Sequence, residues 1–208
     1  MAGALEKFSD EELAQRARAG SPACYEEIVR RYQVPLARFL ARKFPSRRDV
    51  EDIVQDTLVR AWQSLHRYDS KYAFRTWMFT IAYRLSVSRG RHDAGAAGNE
   101  NLPAHVASKA EGPAQELERE ENRSVLWARA REVLSEEQFQ ALWLFYVDEL
   151  AAGEVARVMN RSWVSVKTMI HRARRKLEPV LGELAPGQLV GGGQKTGEDE
   201  AAAWKEGE

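Results

Sequence analysis

Apolar residues return every three to four positions through most of the chain, and no stretch shows convincing alternation with the period of two that marks a β-strand. The pattern is plainest in "SVKTMIHRARRKL", residues 165–177. There Val166, Met169, Ile170, Ala173 and Leu177 fall at i, i+3, i+4, i+7 and i+11. At about 100° per residue they share one side of a helix. Lys167, His171, Arg172, Arg174, Arg175 and Lys176 flank or oppose that side, and no acidic residue occurs from Arg161 to Lys176.

Similar stripes predict the other helices. "SDEELAQRARAG" opens the first, with Ser9 as cap, Glu12 completing a capping box and Gly20 ending it. "PACYEEIVRRYQVPLARFLARKF" follows, with a bend expected at Pro35. In "DVEDIVQDTLVRAWQSLHRYD", residues 49–69, one half of the wheel holds Val50, Ile53, Val54, Leu58, Ala61, Trp62 and Leu65. In "YAFRTWMFTIAYRLSVSRGRH", residues 72–92, Phe74, Trp77, Met78, Ile81 and Leu85 define a core stripe. Residues 121–150 predict two helices divided at Ser135, a cap with Gln138 three positions on.

Between these segments "HDAGAAGNENLPAHVASKAEGPAQ", residues 92–115, reads as a flexible linker, and the Gly-rich acidic 182–208 as a disordered tail. The expected fold is all-α. Two small helical domains span 9–92 and 121–181, joined by a flexible linker at 93–120.

Charge sharpens this division. The 208-residue chain is neutral overall, with 31 Lys/Arg and 31 Asp/Glu. Residues 1–92 nevertheless carry 17 Lys/Arg against 11 Asp/Glu, and residues 122–182 carry 10 against 7. The linker and tail are acidic. Two basic folded units suit a polyanionic partner. The single cysteine, Cys24, excludes an internal disulfide and a Cys-rich zinc site. No apolar run approaches the length of a membrane span, and a soluble cytoplasmic protein without cofactor or metal is expected. Catalysis is not expected either, because no nucleophile–base pairing, metal cluster or phosphate-cradling glycine loop is present.

Three faces carry candidate chemistry. Asp49, Asp52 and Asp56 share a 60° sector beside Gln55 and Val59. An acidic first turn complementing the helix dipole accounts for Asp49, Glu51 and Asp52. It does not account for Asp56 two turns in, so a protein-docking face stands beside it as the alternative. On 72–92, Phe79 and Tyr83 fall off the core stripe on the side of Arg75, with Arg84, Arg89 and Arg91 extending the charge. Aromatics at helical spacing are ordinarily core; exposed among arginines, they stack on unpaired bases. In "AAGEVARVMNRSWVSVKTMIHRARRKL", Ala156 is small at a helix crossing, Asn160 tolerates a left-handed turn and Ser162 can cap the next helix. That reads as a helix-turn-helix whose second helix presents the cationic face, with a solvated basic face on an ordinary bundle helix as the alternative.

With both units in view, the chain resembles the extracytoplasmic-function (ECF) sigma factors of the sigma-70 family. The resemblance rests on "DVEDIVQDTLVRAW", "YAFRTWMFTIA" and "LSEEQFQALWLFYVDELAAGEVARVMNRSWVSVKTMIHRARRKL" in that order. It implies a sigma-2 domain followed by a sigma-4 domain. It also implies binding of core RNA polymerase and direction of that enzyme to promoters, in a stress or envelope response. Asp49, Asp52, Gln55 and Asp56 then match the polymerase-binding face. Phe74, Arg75, Trp77, Phe79, Tyr83, Arg84, Arg89 and Arg91 match the segment that opens the −10 element. Arg161, Ser165, Lys167, Thr168, His171, Arg172, Arg174 and Arg175 match the helix that meets the −35 element. An anti-sigma factor is a further implied partner.

The chain departs from the family's common pattern at Tyr83-Arg84, where the second residue is usually Asn, and at Ser88, usually Asp. Arginine cannot accept a hydrogen bond as an Asn carbonyl does, so the relatives' −10 preference does not carry over. Ser162-Trp163-Val164 replaces a frequent Pro-Val-Gly. Two other readings compete: a stand-alone helix-turn-helix regulator, and a sigma-like decoy that binds partners without reading promoters.

Overall fold

The computed structural model describes residues 5–44, 46–93 and 125–184, which form eight helices. The first lobe comprises α1 (Asp10–Arg18), α2 (Pro22–Leu40), α3 (Arg47–Ser64) with a short 3-10 turn (Leu65–Arg67), and α4 (Phe74–Asp93). The second comprises α5 (125–133), α6 (Glu136–Tyr146), α7 (Ala152–Met159) and α8 (Trp163–Leu184). The linker expected at 93–120 lies outside the described residues apart from its first position. The tail is likewise outside them from 185, while 182–184 complete α8.

Local chemistry sets the helix starts. Ser9 Oγ accepts the Glu12 N–H at 3.1 Å, and Glu12 accepts the Ser9 N–H at 2.8 Å, so two otherwise orphaned donors are satisfied. Ser135 and Gln138 repeat the arrangement at α6. Helix α2 begins with Pro22 and continues through Pro35 to Leu40.

The first lobe buries Leu13, Ile28, Leu36, Leu40, Ile53, Phe74, Met78 and Phe79. Its entry segment is held by Arg31, which donates to the Leu5, Glu6 and Phe8 carbonyls and pairs with Asp10 at 2.7 Å and Glu27 at 2.8 Å. Hydrogen bonds from Arg30 and Arg31 hold the buried Glu27 carboxyl down at about 2. In the second lobe Trp127, Phe139 and Trp143 form an aromatic cluster with ring centroids 4.9–6.2 Å apart.

Asn160 links α7 to α8 at φ 52° and ψ 50°, its N–H reaching the Ala156 and Arg157 carbonyls. Ser162 Oγ then accepts the Ser165 N–H at 3.2 Å and starts α8. Val155, Val158, Val166 and Ala173 are buried where α7 and α8 meet α6. The turn is therefore the hinge of the helix-turn-helix. Asn160→Gly should leave stability nearly unchanged, whereas Asn160→Val should cost about 1–2 kcal/mol, because a β-branched side chain lacks the tolerance of Asn and Gly for the left-handed conformation. Denaturant unfolding of the two variants measures the difference.

Candidate functional site

Helix α3 presents two unlike surfaces. Its buried edge, Val50, Ile53, Val54, Thr57 and Ala61, faces the core. Its outer edge combines with α2 in an open groove of about 810 Å³, lined by Tyr25, Val29, Val34, Gln55, Leu58, Val59 and Trp62 among others. Trp62, placed on the core half by the wheel, is instead 44% exposed. Near the end of α3 it leaves the core and packs on Tyr25, ring centroids 4.7 Å apart. The Tyr25 hydroxyl donates to the Leu58 carbonyl, which ties this aromatic pair to the α3 backbone. Tyr25 and Val34 were not legible as site residues; the signal available was exposed apolar side chains beside Gln55.

The acidic sector is smaller than the wheel implies. Asp49 accepts from Arg89 at 3.0 Å, and Asp52 lies 3.8 Å from the same guanidinium. Arg89, expected to extend the promoter-facing charge of α4, therefore sits over α3. The reason is topological, because α3 and α4 pack side by side and bring its guanidinium to the acidic face. Gln55 and Asp56 remain exposed.

The expected exposed aromatic pair on α4 needs correction. Phe79 is 0% exposed and Tyr83 9% exposed. A wheel assumes one buried side, but α4 is covered from two. On one, Phe39 of α2 meets Phe79 edge-on at 5.5 Å. On the other, Tyr83 lines a cleft with Glu136, Glu137, Asn160 and Arg161 of the second lobe. Phe74 is fully buried, and Trp77 is half-buried with Tyr68 and Phe74 each 5.4 Å away. Arg84 and Ser88 are exposed at the cleft, and the Arg91 side chain lies outside those described.

Arg75 and its neighbours make the seam between the lobes. Arg75 donates to Asp148 at 3.2 Å, and the Thr76 hydroxyl donates to Glu154 at 2.6 Å. Glu154 also accepts the Ala151 N–H at 2.9 Å, so the residue that starts α7 also fastens α4. The Arg157 guanidinium lies 3.7 Å from the Tyr72 ring, and that of Arg42 lies 4.1 Å from the Trp143 ring. Burial pushes the Asp148 carboxyl up to about 7 against the opposing pull of Arg75.

On α8 the outer face is open. Ser165, Lys167, Thr168, His171, Arg172, Arg174 and Arg175 are all exposed. Lys167 Nζ lies 4.3 Å from the Trp163 ring, so the bulky residue at the helix start orients the first cation. The Arg174 guanidinium is 5.2 Å from the Tyr146 ring. Arg161 instead turns to Glu137 at 2.5 Å, at the mouth of the cleft.

Comparison with known proteins fits this geometry. Residues 28–94 match Sigma-70 region 2, and residues 125–177 match Sigma-70, region 4. The ECF RNA polymerase sigma-E factor of Salmonella typhimurium is 30% identical over 182 residues, covering 83% of this chain and 94% of that protein. The chain belongs to the ECF sigma factors of the sigma-70 family. The ECF RNA polymerase sigma factor SigW of Bacillus subtilis is 27% identical over 179 residues, covering 82% of this chain and 95% of that protein. Among solved structures, CnrH in complex with the cytosolic domain of CnrY aligns with a TM-score of 0.60 and 26% identity, covering 85% of this chain and 99% of that one.

In this sigma factor the region 2 match spans most of α2 together with α3 and α4, while the region 4 match spans α5 to α8 as far as Leu177. A stand-alone helix-turn-helix regulator has no region 2, so that alternative falls. Helix α1 lies before the matched span and packs on α2 and α4.

The raised Asp148 carboxyl has a definite consequence for stability. A carboxyl whose folded pKa exceeds its unfolded value near 3.9 binds a proton on folding across the interval between them. Its contribution is complete below that value and is lost as pH rises to about 7. Unfolding free energy measured from pH 4 to 7 should therefore contain a falling component on the order of a few kcal/mol, and Asp148→Asn should remove it. An unchanged slope in the variant would place the titrating group elsewhere.

Proposed function

We propose that this sigma factor docks on core RNA polymerase through the α2–α3 groove and its Gln55–Asp56 rim. Residues 9–92 act as the polymerase-binding and −10-opening domain, and residues 121–181 as the −35-binding domain. The exposed cationic face of α8, free of acidic residues from Trp163 to Lys176 and set by the left-handed turn residue Asn160, is the observation that carries the reading. Such a face meets a polyanion, and the turn aims it as a recognition helix. The chain is an initiation factor with no catalytic step of its own. It works in the cytoplasm beside the polymerase; among the described residues no helix is long and apolar enough to cross a membrane. An anti-sigma partner and an envelope or stress signal follow from the family resemblance.

The polymerase surface is testable by charge. Asp56 is exposed and unpaired by any described cation, and Asp52 is held by Arg89 only at 3.8 Å. Asp52→Lys with Asp56→Lys should abolish core polymerase binding, a loss of several kcal/mol at a complementary interface, without reducing helical content. Co-purification with core polymerase and circular dichroism read the two arms. Full binding by the double variant removes the docking assignment.

The two arginines of α8 separate reading from anchoring. Arg172, with Lys167, is exposed on α8 and should discriminate bases, while Arg175 should hold phosphate. Arg172→Ala should cost about 1–3 kcal/mol at promoters with an intact −35 element and relax the preference there. Arg175→Ala should weaken all promoters alike and shallow the log–log salt slope by about one unit. Run-off transcription from a promoter library, with purified core polymerase, distinguishes the two patterns. It also distinguishes a sigma factor from a decoy, which would give no transcript. Identical shifts in both variants would reduce α8 to an electrostatic anchor.

A further inference from the structure

The outward face of α8 carries an apolar group at its midline and cations at its borders. Val164 is 66% exposed, more than any other large apolar side chain among the described residues. At about 100° per residue, Lys167, Thr168, His171 and Arg175 fall within about 60° of it, and all four are exposed. Val166, Ile170, Ala173 and Leu177 are buried on the opposite half. Val164 is thus central to the surface that packing leaves over.

A single exposed valine is ordinary on a protein surface. Its placement sets this one apart. It is the second residue of α8, in the turn that Ser162 Oγ starts by accepting the Ser165 N–H at 3.2 Å. Helical side chains tilt toward the N-terminus, so Val164 leads at the end from which a recognition helix meets base edges. A β-branched side chain in a helix keeps essentially one rotamer, so its methyl groups point in a fixed direction. Lys167 and Thr168, three and four positions on, are its neighbours on the helix surface and both are hydrogen-bond donors. Lys167 Nζ is held 4.3 Å from the Trp163 ring, beside Val164.

A rigid apolar group flanked by donors complements one base edge above the others. In the major groove thymine alone shows a methyl group, at C5, next to the O4 acceptor. An apolar protein surface is a poorer fit, because covering Val164 would strand the charges of Lys167 and Arg175, whereas a duplex supplies them with acceptors and phosphates.

We propose that Val164 is a specificity-determining residue of this sigma factor, which reads the C5 methyl of a thymine in the −35 element by apolar contact. The proposal rests on α8 being the −35-reading helix and adds an apolar reader to its polar and cationic ones. Gly, frequent at this place in the family, has no side chain for such a contact, so the preference belongs to this chain.

The probe is deoxyuridine, which differs from thymidine only in lacking the methyl group. A promoter library randomised over the −35 element is selected with the wild-type chain on core polymerase. The selected promoter is then resynthesised with deoxyuridine for each thymidine in turn, on either strand. At limiting holoenzyme, wild-type run-off transcription should fall about fourfold at one position or two adjacent ones, as expected for withdrawing one methyl group from apolar contact. At those positions Val164→Ala should transcribe the thymidine promoter more weakly and lose nothing further on deoxyuridine. Val164→Ile should keep the sensitivity. Circular dichroism should not distinguish the three chains, since the side chain is exposed.

Wild-type indifference to deoxyuridine at every position would overturn the proposal. So would an equal penalty in Val164→Ala, which would give the methyl contact to another residue. Arg172→Ala on the same promoters keeps either failure apart from failure of the −35 reading. If Arg172→Ala relaxes the selected sequence while methyl loss is uncoupled from Val164, α8 reads DNA without Val164. If neither the −35 sequence nor Arg172→Ala alters transcription, α8 reads no bases and the role of Val164 falls with it.

Discussion

Helix α4 must be buried on more than one side at once, and the arrangement of the other helices follows from that requirement. Phe74, Met78, Phe79 and Ala82 are fully enclosed, and they do not lie on one narrow stripe. A helix that is apolar over most of its circumference cannot lie on a surface with one face to water. Here α1, α2 and α3 enclose part of it, and α7 of the second lobe packs against another part. The contact between lobes is thus an outcome of α4's sequence as much as of any pairing of charges. Arg75 and Thr76 are the polar positions at which that second contact is fastened.

The second lobe answers to a different constraint, the direction in which α8 points. A left-handed residue at 160 and a hydroxyl cap at 162 fix the turn, and small residues at 156 and 173 let the helices approach. None of these groups needs to touch a partner. They determine that Val166, Ile170, Ala173 and Leu177 go inward, and therefore that Lys167, His171, Arg172 and Arg175 go outward. Function at this face is the remainder left after packing is satisfied.

Those two constraints explain what could be read from the chain and what could not. The turn at Asn160 and both capping boxes involve residues within four positions of each other, so local chemistry was enough to place them. The all-helical fold and the basic face of α8 were legible for the same reason. The burial of Phe79 and Tyr83 depends on Phe39, more than thirty residues away, and on a lobe beyond the linker; no helical wheel contains that information. Trp62 shows the converse. It has the right phase for the core, but the core ends before α3 does, and the indole emerges onto the groove with Tyr25. Periodicity gives the phase of a side chain around a helix, whereas exposure also depends on where the neighbouring helices stop.

Charge neutrality acquires a structural meaning at this point. The whole chain balances 31 basic against 31 acidic residues, yet residues 161–176 hold six Lys/Arg and no acidic residue. Three arginines are met by carboxylates from distant segments. Arg89 reaches Asp49 and Asp52 on α3, Arg161 reaches Glu137 on α6, and Arg75 reaches Asp148 just before α7. Each pairing joins segments distant in sequence. Each also reduces the attraction that its arginine can exert on a polyanion while the pair is intact. The α8 cations named for base and phosphate contact face rings or solvent rather than acids, so their field acts at a distance and needs no rearrangement. On α4, Arg75 and Arg89 would have to exchange one anionic partner for another. The exposed cations of α8 therefore exert a stronger attraction on a polyanion than the paired arginines of α4.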